Sequence, residues 1–305
     1  MLRLGRASLQ SLAAGVKRPS HGTTAVGILH IGLGAFHRAH QAVYTEEIIA
    51  AGATRWGIAA LNLRSSTNVD RLVEQDCLFS FSERSGYSES FRIVGSIRAA
   101  LLLNRDRDAV IALFSSKDVQ VVTITVSEKG YIYDPVGECL DRSHIDLKHE
   151  LNTGVFSTMP GVIVAGLEAR RIAGAGPITL ISCDNYLGNG TVLRRVIEDY
   201  SATRSAELTN WIAGNVSFPS TMVDSIVPPV GKEDIARISE RLGVLDYAAV
   251  IGEPDRHWVI KDDFAGERPP WDDAGARFVD DIAPFEMMKL RLLNAPHSAA
   301  CYLGY

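Results

Sequence analysis

Val26–Ile31 (VGILHI) runs apolar straight into Gly32-Leu33-Gly34, and a segment of helical character follows from about Arg38 to Ala51. Strand, glycine turn and helix, in that order, open a βαβ unit of the kind that binds dinucleotides. The glycines let the backbone turn tightly and approach a pyrophosphate, and the helix start supplies unpaired N–H groups and positive dipole. Against the full G-x-G-x-x-G pattern the third glycine is missing, with His37 in its place. A plain turn would explain a lone G-x-G as well. The surroundings are basic, since Arg3, Arg6, Lys17, Arg18 and Arg38 all precede the first acidic residue, Glu46; this favours an anion site.

The same charge skew can mimic a mitochondrial transit peptide. A strand signal begins almost at once, so the expectation is a short ordered leader that meets the first strand. A second strand is expected over Trp56–Leu63, ending in Asn62, Leu63, Arg64 and Ser65. An NAD-binding chain usually offers Asp or Glu to the adenosine ribose here. This one offers Asn62, Arg64 and serines, with Asp70 the nearest acid, and Arg64 could instead meet a 2′-phosphate. NAD is expected and NADP is left open.

Leu78–Glu83 and Ser90–Ile97 alternate around Arg84–Tyr87, the pattern of an inserted antiparallel hairpin. Asp106–Ser115 reads as a helix, Val119–Val126 as a central buried strand, Gly161–Ala173 as a helix and Ile178–Ser182 as a strand. A further helix runs to about Tyr200, another covers Lys232–Leu242, and Pro284 stands where a final helix should begin. The fold class expected is α/β: a Rossmann-like, doubly wound, mostly parallel sheet with the inserted hairpin. Residues 1–283 are expected to form that dinucleotide-binding domain, and the closing helix, 284–305, to open a second domain.

A chain of 305 residues has ample length for a sizeable core, and a net charge of −5 gives no sign of nucleic-acid binding. No apolar run approaches the length of a bilayer span. Cys77, Cys139, Cys183 and Cys301 are scattered with no C-x-x-C pair, as suits reduced thiols in a cytoplasmic protein. His37 and His40 are spaced like a metal pair but lack nearby Cys or carboxylate to complete it, so no metal is expected.

Three polar islands stand out. Asn185 follows the strand Ile178–Ser182, at the end that faces the ligand crevice in such sheets; a turn or capping role fits it equally. Asp224 sits between apolar neighbours, as a paired carboxylate or a cap. The last stretch, EMMKLRLLNAPHSAACYLGY, holds Lys289, Asn294 and His297 in what otherwise reads as a buried helix. At about 100° per residue, Lys289 and His297 lie roughly 80° apart, with Asn294 and His297 near neighbours. Burying such a trio is costly without partners or a use. A lysine snorkelling to water beside a core histidine is the plainer alternative.

GLGAFHRAHQAVYT (32–45), SCDNYLGNG (182–190), FPSTMVDSIVP (218–228), WVIKDDFAGERPPWDDAGARFVDD (258–281) and KLRLLNAPHSAACYLGY (289–305) together resemble the polyol-specific long-chain dehydrogenases, the mannitol dehydrogenase family. The resemblance runs from about Ile28 to Tyr305, and it implies that 284–305 are the first helix of a mainly helical C-terminal substrate domain whose remainder is expected to be missing. It implies metal-free hydride transfer between NAD and C2 of a sugar acid or sugar alcohol, nearer the fructuronate reductase (D-mannonate oxidoreductase) branch than mannitol 2-dehydrogenase. It further implies Lys289 as general base, Asn185 and Asn294 as amides on the substrate oxygen, His297 as a substrate-hydroxyl contact and Asp224 as a supporting carboxylate. Gly32, Gly34, Phe36, His37 and Arg38 of the first block, with Arg64, are the implied cofactor contacts. Two departures from the family's pattern are Ser225, where an arginine is usual after the aspartate, and Pro296, which removes a backbone donor and is expected to kink the helix. A truncated, non-catalytic dinucleotide-binding protein is the alternative from another class. Partners are a small polyol or sugar acid, with the chain a monomer or a dimer.

Overall fold

A computed structural model describes residues 1–20, 24–86 and 88–304, without the side chains of Asn294, His297, Ser298 and Leu303. Its centre is set by β-branched and leucine-rich runs long enough to be buried on both faces. The chain enters as β1 (Val26–Ile31), turns at Gly32–Gly34 and leaves as α1 (Ala35–Ala39) and α2 (Gln41–Ala50), where one helix was expected. The break falls at His40, whose φ of −119° and ψ of −91° are not helical. β2 (Gly57–Asn62) and α3 (Thr67–Val73) lead to β3 (Phe79–Ser85) and β4 (Ser88–Val94), which pair antiparallel as the expected hairpin. Next come β5 (Ile97–Leu102), α4 (Arg107–Phe114), β6 (Val121–Ile124), the short pair β7 (Tyr133–Asp134) and β8 (Cys139–Leu140), α5 (Ile145–Thr153) and α6 (Met159–Ala173). β9 (Ile178–Ser182), α7 (Asn189–Ala202), α8 (Ala206–Asn215) and β10 (Val216–Ser217) follow, then β11 (Thr221–Asp224), α9 (Lys232–Leu242), β12 (Val250–Gly252), β13 (His257–Lys261) and β14 (Arg277–Val279). α10 (Ala283–Lys289), a π-helical turn (Leu290–Asn294) and α11 (Ala295–Leu303) close the described chain.

The main sheet has the order β5-β2-β1-β6-β9-β10, every pair parallel. Winding goes one way from β1 to β2 and β5, and the other way from β6 onward. That reversal makes the gap between the ends of β1 and β6 the natural ligand crevice of the fold. On one face Ile28, Ile58, Ala60 and Val121 pack under α2 and the hairpin; on the other Leu29, Ile31, Leu61 and Val122 pack under α4, α6 and α7. β5 was not foreseen. Its residues run on from the hairpin's alternation in sequence, and only the parallel register with β2 makes Ile97–Leu102 a strand of the main sheet.

The N-terminal leader is ordered, but it docks elsewhere than expected. Leu4 and Leu12 pack with Phe91, Ile93, Ile238 and Leu242, and the backbone of Lys17 donates to Phe91 (3.0 Å). It therefore covers the hairpin and α9, not the first strand.

The final helical segment also departs from its reading as buried. Met288 and Leu292 are 49% and 73% exposed, and α10 meets the body of the fold along one face only. The expected irregularity at Pro296 takes the form of the π turn just before it. The Ala295 N–H reaches back to Leu290, five residues earlier, which reroutes the ladder where proline has no N–H to give. Angles reckoned for a uniform α-helix do not carry across that turn.

Arg170 shows how the loops at the far end of the sheet are held. Wholly buried on α6, its guanidinium donates to the carbonyls of Phe114, Ser116, Ala175, Gly176 and Pro177 at 2.8–3.1 Å. Burial lowers its pKa only to about 10, so it stays charged at neutral pH. Arg170→Met would strand those carbonyls without their donor and should cost at least about 3 kcal/mol in chemical denaturation. Arg170→Lys, with a point charge instead of a planar fork, should recover only part of that. A loss within experimental error for Arg170→Met would show the loops to be held by other means.

Candidate active site

At the end of β1 the backbone has no alternative to glycine. Gly32 has φ +107°, and a Cβ there would lie 1.8 Å from the carbonyl oxygen of Thr125 at the end of β6. Its N–H donates to Leu61 at the end of β2 (2.8 Å), and its carbonyl accepts from the Thr125 hydroxyl (2.9 Å). The ends of three neighbouring strands are thus tied at one residue. Beneath them His30 bonds Thr123 through Nδ1 (2.8 Å) and reaches the Gly32 carbonyl and the Thr125 hydroxyl through Nε2 (2.9 and 3.0 Å).

His37 stacks on His30 with ring centroids 3.3 Å apart, and both are wholly buried. Desolvation pushes His30 down to about 3 and holds His37 well below its ordinary value, so both are neutral at physiological pH. His40, also driven to about 3 by burial, gives Nε2 to the His257 carbonyl (3.1 Å). Arg38 turns inward to the carbonyls of Gly34 and Ala248. The basic character read from this segment is therefore not offered to the crevice: the histidines carry no charge, and Arg38 is spent on backbone. His37 and Arg38 brace the turn from behind and line neither of the cavities described next. Among the described residues no trio of His, Cys, Asp or Glu is grouped as a metal site.

Two cavities adjoin at the turn, sharing Gly34, Thr125 and Val126. The first, about 560 Å³, runs from Gly32–Gly34 past Asn62–Ser65 to Lys129, His144, Asp146 and Ser157–Met159. Gly34 leaves room on its Cβ side, with nothing nearer than 3.8 Å, and α1 starts there without a side-chain cap. A dinucleotide laid along this path would meet open backbone at the turn and the ends of β2 and β6, so the residues present fit one. Arg64 lines this cavity, 77% exposed at its side chain, and pairs with Asp146 (2.6 Å).

The second cavity, about 540 Å³, is lined by Ala35, Phe36, Cys183, Asp184, Asn185, Asp224, Ser225 and Lys289. Three elements deliver its polar groups: Asn185 after β9, Asp224 at the end of β11, and Lys289 at the end of α10. Lys289 Nζ donates to Asn185 Oδ1 (3.1 Å) and to the carbonyl of Val223, with Asp224 Oδ1 at 3.6 Å. Its side chain is 13% exposed. Glu286, one turn earlier, accepts from the Gly188 N–H (2.9 Å) and holds α10 against the loop that starts α7. Ser225, standing where the family's pattern has an arginine, is among the lining residues, and its buried hydroxyl has no protein partner among the described residues. The side chains of Asn294 and His297 lie outside the described part of the chain.

Two positioning groups escaped the sequence reading. Asn189 is buried and stitches β9 to β11: Nδ2 donates to Asp184 and Thr221 carbonyls, and Oδ1 accepts from Thr221 N–H. Asp184 accepts from the Tyr131 hydroxyl (2.6 Å) and the Val126 N–H (3.0 Å) on one oxygen, joining the loop after β6 to the residue before Asn185. Burial pushes its carboxyl up to about 7, opposed by those two donors. An Asp directly before a suspected site amide was the available signal.

Residues 26–273 match the family model described as the mannitol dehydrogenase Rossmann domain. The chain is 40% identical over 297 residues to the D-mannonate oxidoreductase of Escherichia coli (strain K12), covering 95% of this chain and 61% of that one. It is 38% identical over 311 residues to the mannitol 2-dehydrogenase of Aspergillus clavatus, covering 97% and 62%. Among solved structures, the Pseudomonas fluorescens mannitol 2-dehydrogenase in ternary complex with NAD and D-mannitol superposes with a TM-score of 0.93 at 37% identity, covering 99% of this chain and 63% of that one. A substrate-free D-sorbitol dehydrogenase gives the same TM-score at 33% identity, covering 98% and 63%. The chain thus spans about three fifths of the length of the relatives it matches.

Asp184 yields a pH test. Its folded pKa lies above its unfolded one, so between about pH 4 and 7 the unfolded chain gives up the proton first and stability falls as pH rises. Asp184→Asn removes that dependence. Its stability relative to wild type should improve between pH 4.5 and pH 8, by on the order of 1 kcal/mol, in paired thermal melts. A difference that stays constant, or moves against the variant, would mean that the carboxyl ionises without penalty.

Proposed function

The chain belongs to the mannitol dehydrogenase family, and from that premise we propose that it is a metal-independent, NAD-dependent oxidoreductase acting on C2 of a sugar acid, with D-mannonate and D-fructuronate as the pair. The observation that carries the reading is Lys289, held between Asn185 and Asp224 in a cleft that opens directly onto the glycine-turn cavity.

Nicotinamide, when bound, supplies the hydride acceptor or donor. The residues proposed to hold the dinucleotide are the Gly32–Gly34 turn, Phe36, Asn62–Ser65 with Arg64, and Thr125–Ser127. Proton movement falls to the chain. In the oxidative direction the alcohol O–H gives its proton to Lys289 Nζ; in the reductive direction the same ammonium returns it to the nascent alkoxide. With Asn185 Oδ1 engaged by Lys289, the Nδ2 donors are left for the substrate oxygen, where negative charge develops. Asn294 is proposed as the second amide and His297 as a hydroxyl contact. Asp224 offsets the ammonium charge and, with the Val223 carbonyl, fixes the amine in place.

Identity of 40% to a D-mannonate oxidoreductase supports the sugar-acid branch. A second reading, D-mannitol to D-fructose, is favoured by the 0.93 TM-score to a mannitol 2-dehydrogenase holding NAD and D-mannitol. Oxidation of NADH with D-fructuronate and not D-fructose is the expected result, and the reverse would install the second reading. Cofactor binding without turnover of either would make the chain a non-catalytic binding protein. Lys289→Ala should lower kcat by about 100-fold or more while NADH affinity, read by fluorescence titration, holds within twofold. Loss of both would recast Lys289 as structural.

A further inference from the structure

Asp146 is the sole carboxylate among the described residues that line the larger cavity. The residues at the end of β2, where a dinucleotide-binding sheet usually presents its acid to the adenosine ribose, are Asn62, Leu63, Arg64 and Ser65. Asn62 is already committed, its Nδ2 donating to the Ser65 carbonyl (2.6 Å). Asp70, the nearest acid in sequence, faces away: it pairs with Arg105 (3.0 Å) and does not line the cavity. The missing carboxylate arrives instead from 82 residues downstream, on the first turn of α5, where Asp146 Oδ2 meets Arg64 at 2.6 Å.

We propose that Asp146 is the residue that selects NAD over NADP, supplying the ribose acceptor that β2 lacks and withholding Arg64 from a 2′-phosphate. Two physical effects act in the same direction. A carboxylate accepts hydrogen bonds from a vicinal diol, but it repels a phosphate dianion at the same place. The pairing also matters: an unpaired guanidinium at the end of β2 is a bidentate phosphate site, and Asp146 occupies that fork. Exposure of the pair, 77% at the Arg64 side chain and 37% at Asp146, keeps the contest between Asp146 and an incoming phosphate sensitive to salt. This inference rests on the proposed function, because it concerns how the dinucleotide of that reaction is chosen.

The test reads binding, not turnover: NADH and NADPH are titrated separately against protein fluorescence at low salt, for wild type, Asp146→Asn, Asp146→Glu and Asp146→Asn combined with Arg64→Ala. Wild type should favour NADH by about tenfold or more. Asp146→Asn should weaken NADH several-fold and tighten NADPH about tenfold, and Asp146→Glu should keep the wild-type preference. Adding Arg64→Ala should abolish the gain for NADPH. Equal melting temperatures confirm that the variants are folded, and the ratio of the two affinities within each variant is insensitive to a general loss of integrity. A ratio in Asp146→Asn within twofold of wild type overturns the inference alone. Failure of the wild-type chain to bind either nucleotide overturns the proposed function and this inference with it.

Discussion

The site depends on a close approach of backbone to backbone at the end of the first strand. Gly32 and Thr125 are so near that no side chain can stand between them, and the same residue is hydrogen-bonded to the end of β2. That contact fixes how far the two halves of the sheet diverge at the point where the winding reverses. Both cavities open from it, and both count Thr125 and Val126 among their walls. A dinucleotide crevice is often described by what it binds; here it is defined first by what it cannot hold, a Cβ at one position.

Several polar side chains around that contact are tied to the ends of neighbouring strands, and this keeps the crevice in one shape. Thr125 ties the end of β6 to the turn after β1, Asp184 ties the end of β9 to the loop after β6, and Asn189 ties the end of β9 to the start of β11, so that these strands stand in fixed relation. Asn185 and Asp224 inherit their separation from those stitches. Lys289 then needs only the docking of α10, held by Glu286 on the Gly188 loop, to reach them both. The stacked histidines beneath the turn add rigidity without charge, because burial makes the imidazolium form too costly.

How far the sequence could be read varies with the range of the interaction. β1, β6 and β9 were legible because a strand buried on both faces has to be written as an unbroken apolar run. The hairpin was legible from alternation about a turn. β5 was not, since its membership of the main sheet lies in its partner and not in its own residues. His37 and Arg38 stand in the right block for a cofactor contact, yet a side chain's direction in a short broken helix follows from packing, and both point into the protein. Asp146 carries no local sign of importance, and its value comes from meeting Arg64.

By itself the sequence determined the class of fold, the family, the place of the glycine turn and the identity of the amine and amide to look for. These depend on hydrophobic period, on residues that only certain backbone shapes tolerate, and on ordered motif blocks, all local properties of the chain. Tertiary structure alone decided which of the nominated residues face a cavity, that the histidines are neutral, that the leader covers the hairpin, and that a carboxylate from α5 stands at the end of β2. Such facts turn on desolvation and on contacts between residues tens to hundreds apart, and neither quantity exists until the chain has closed on itself.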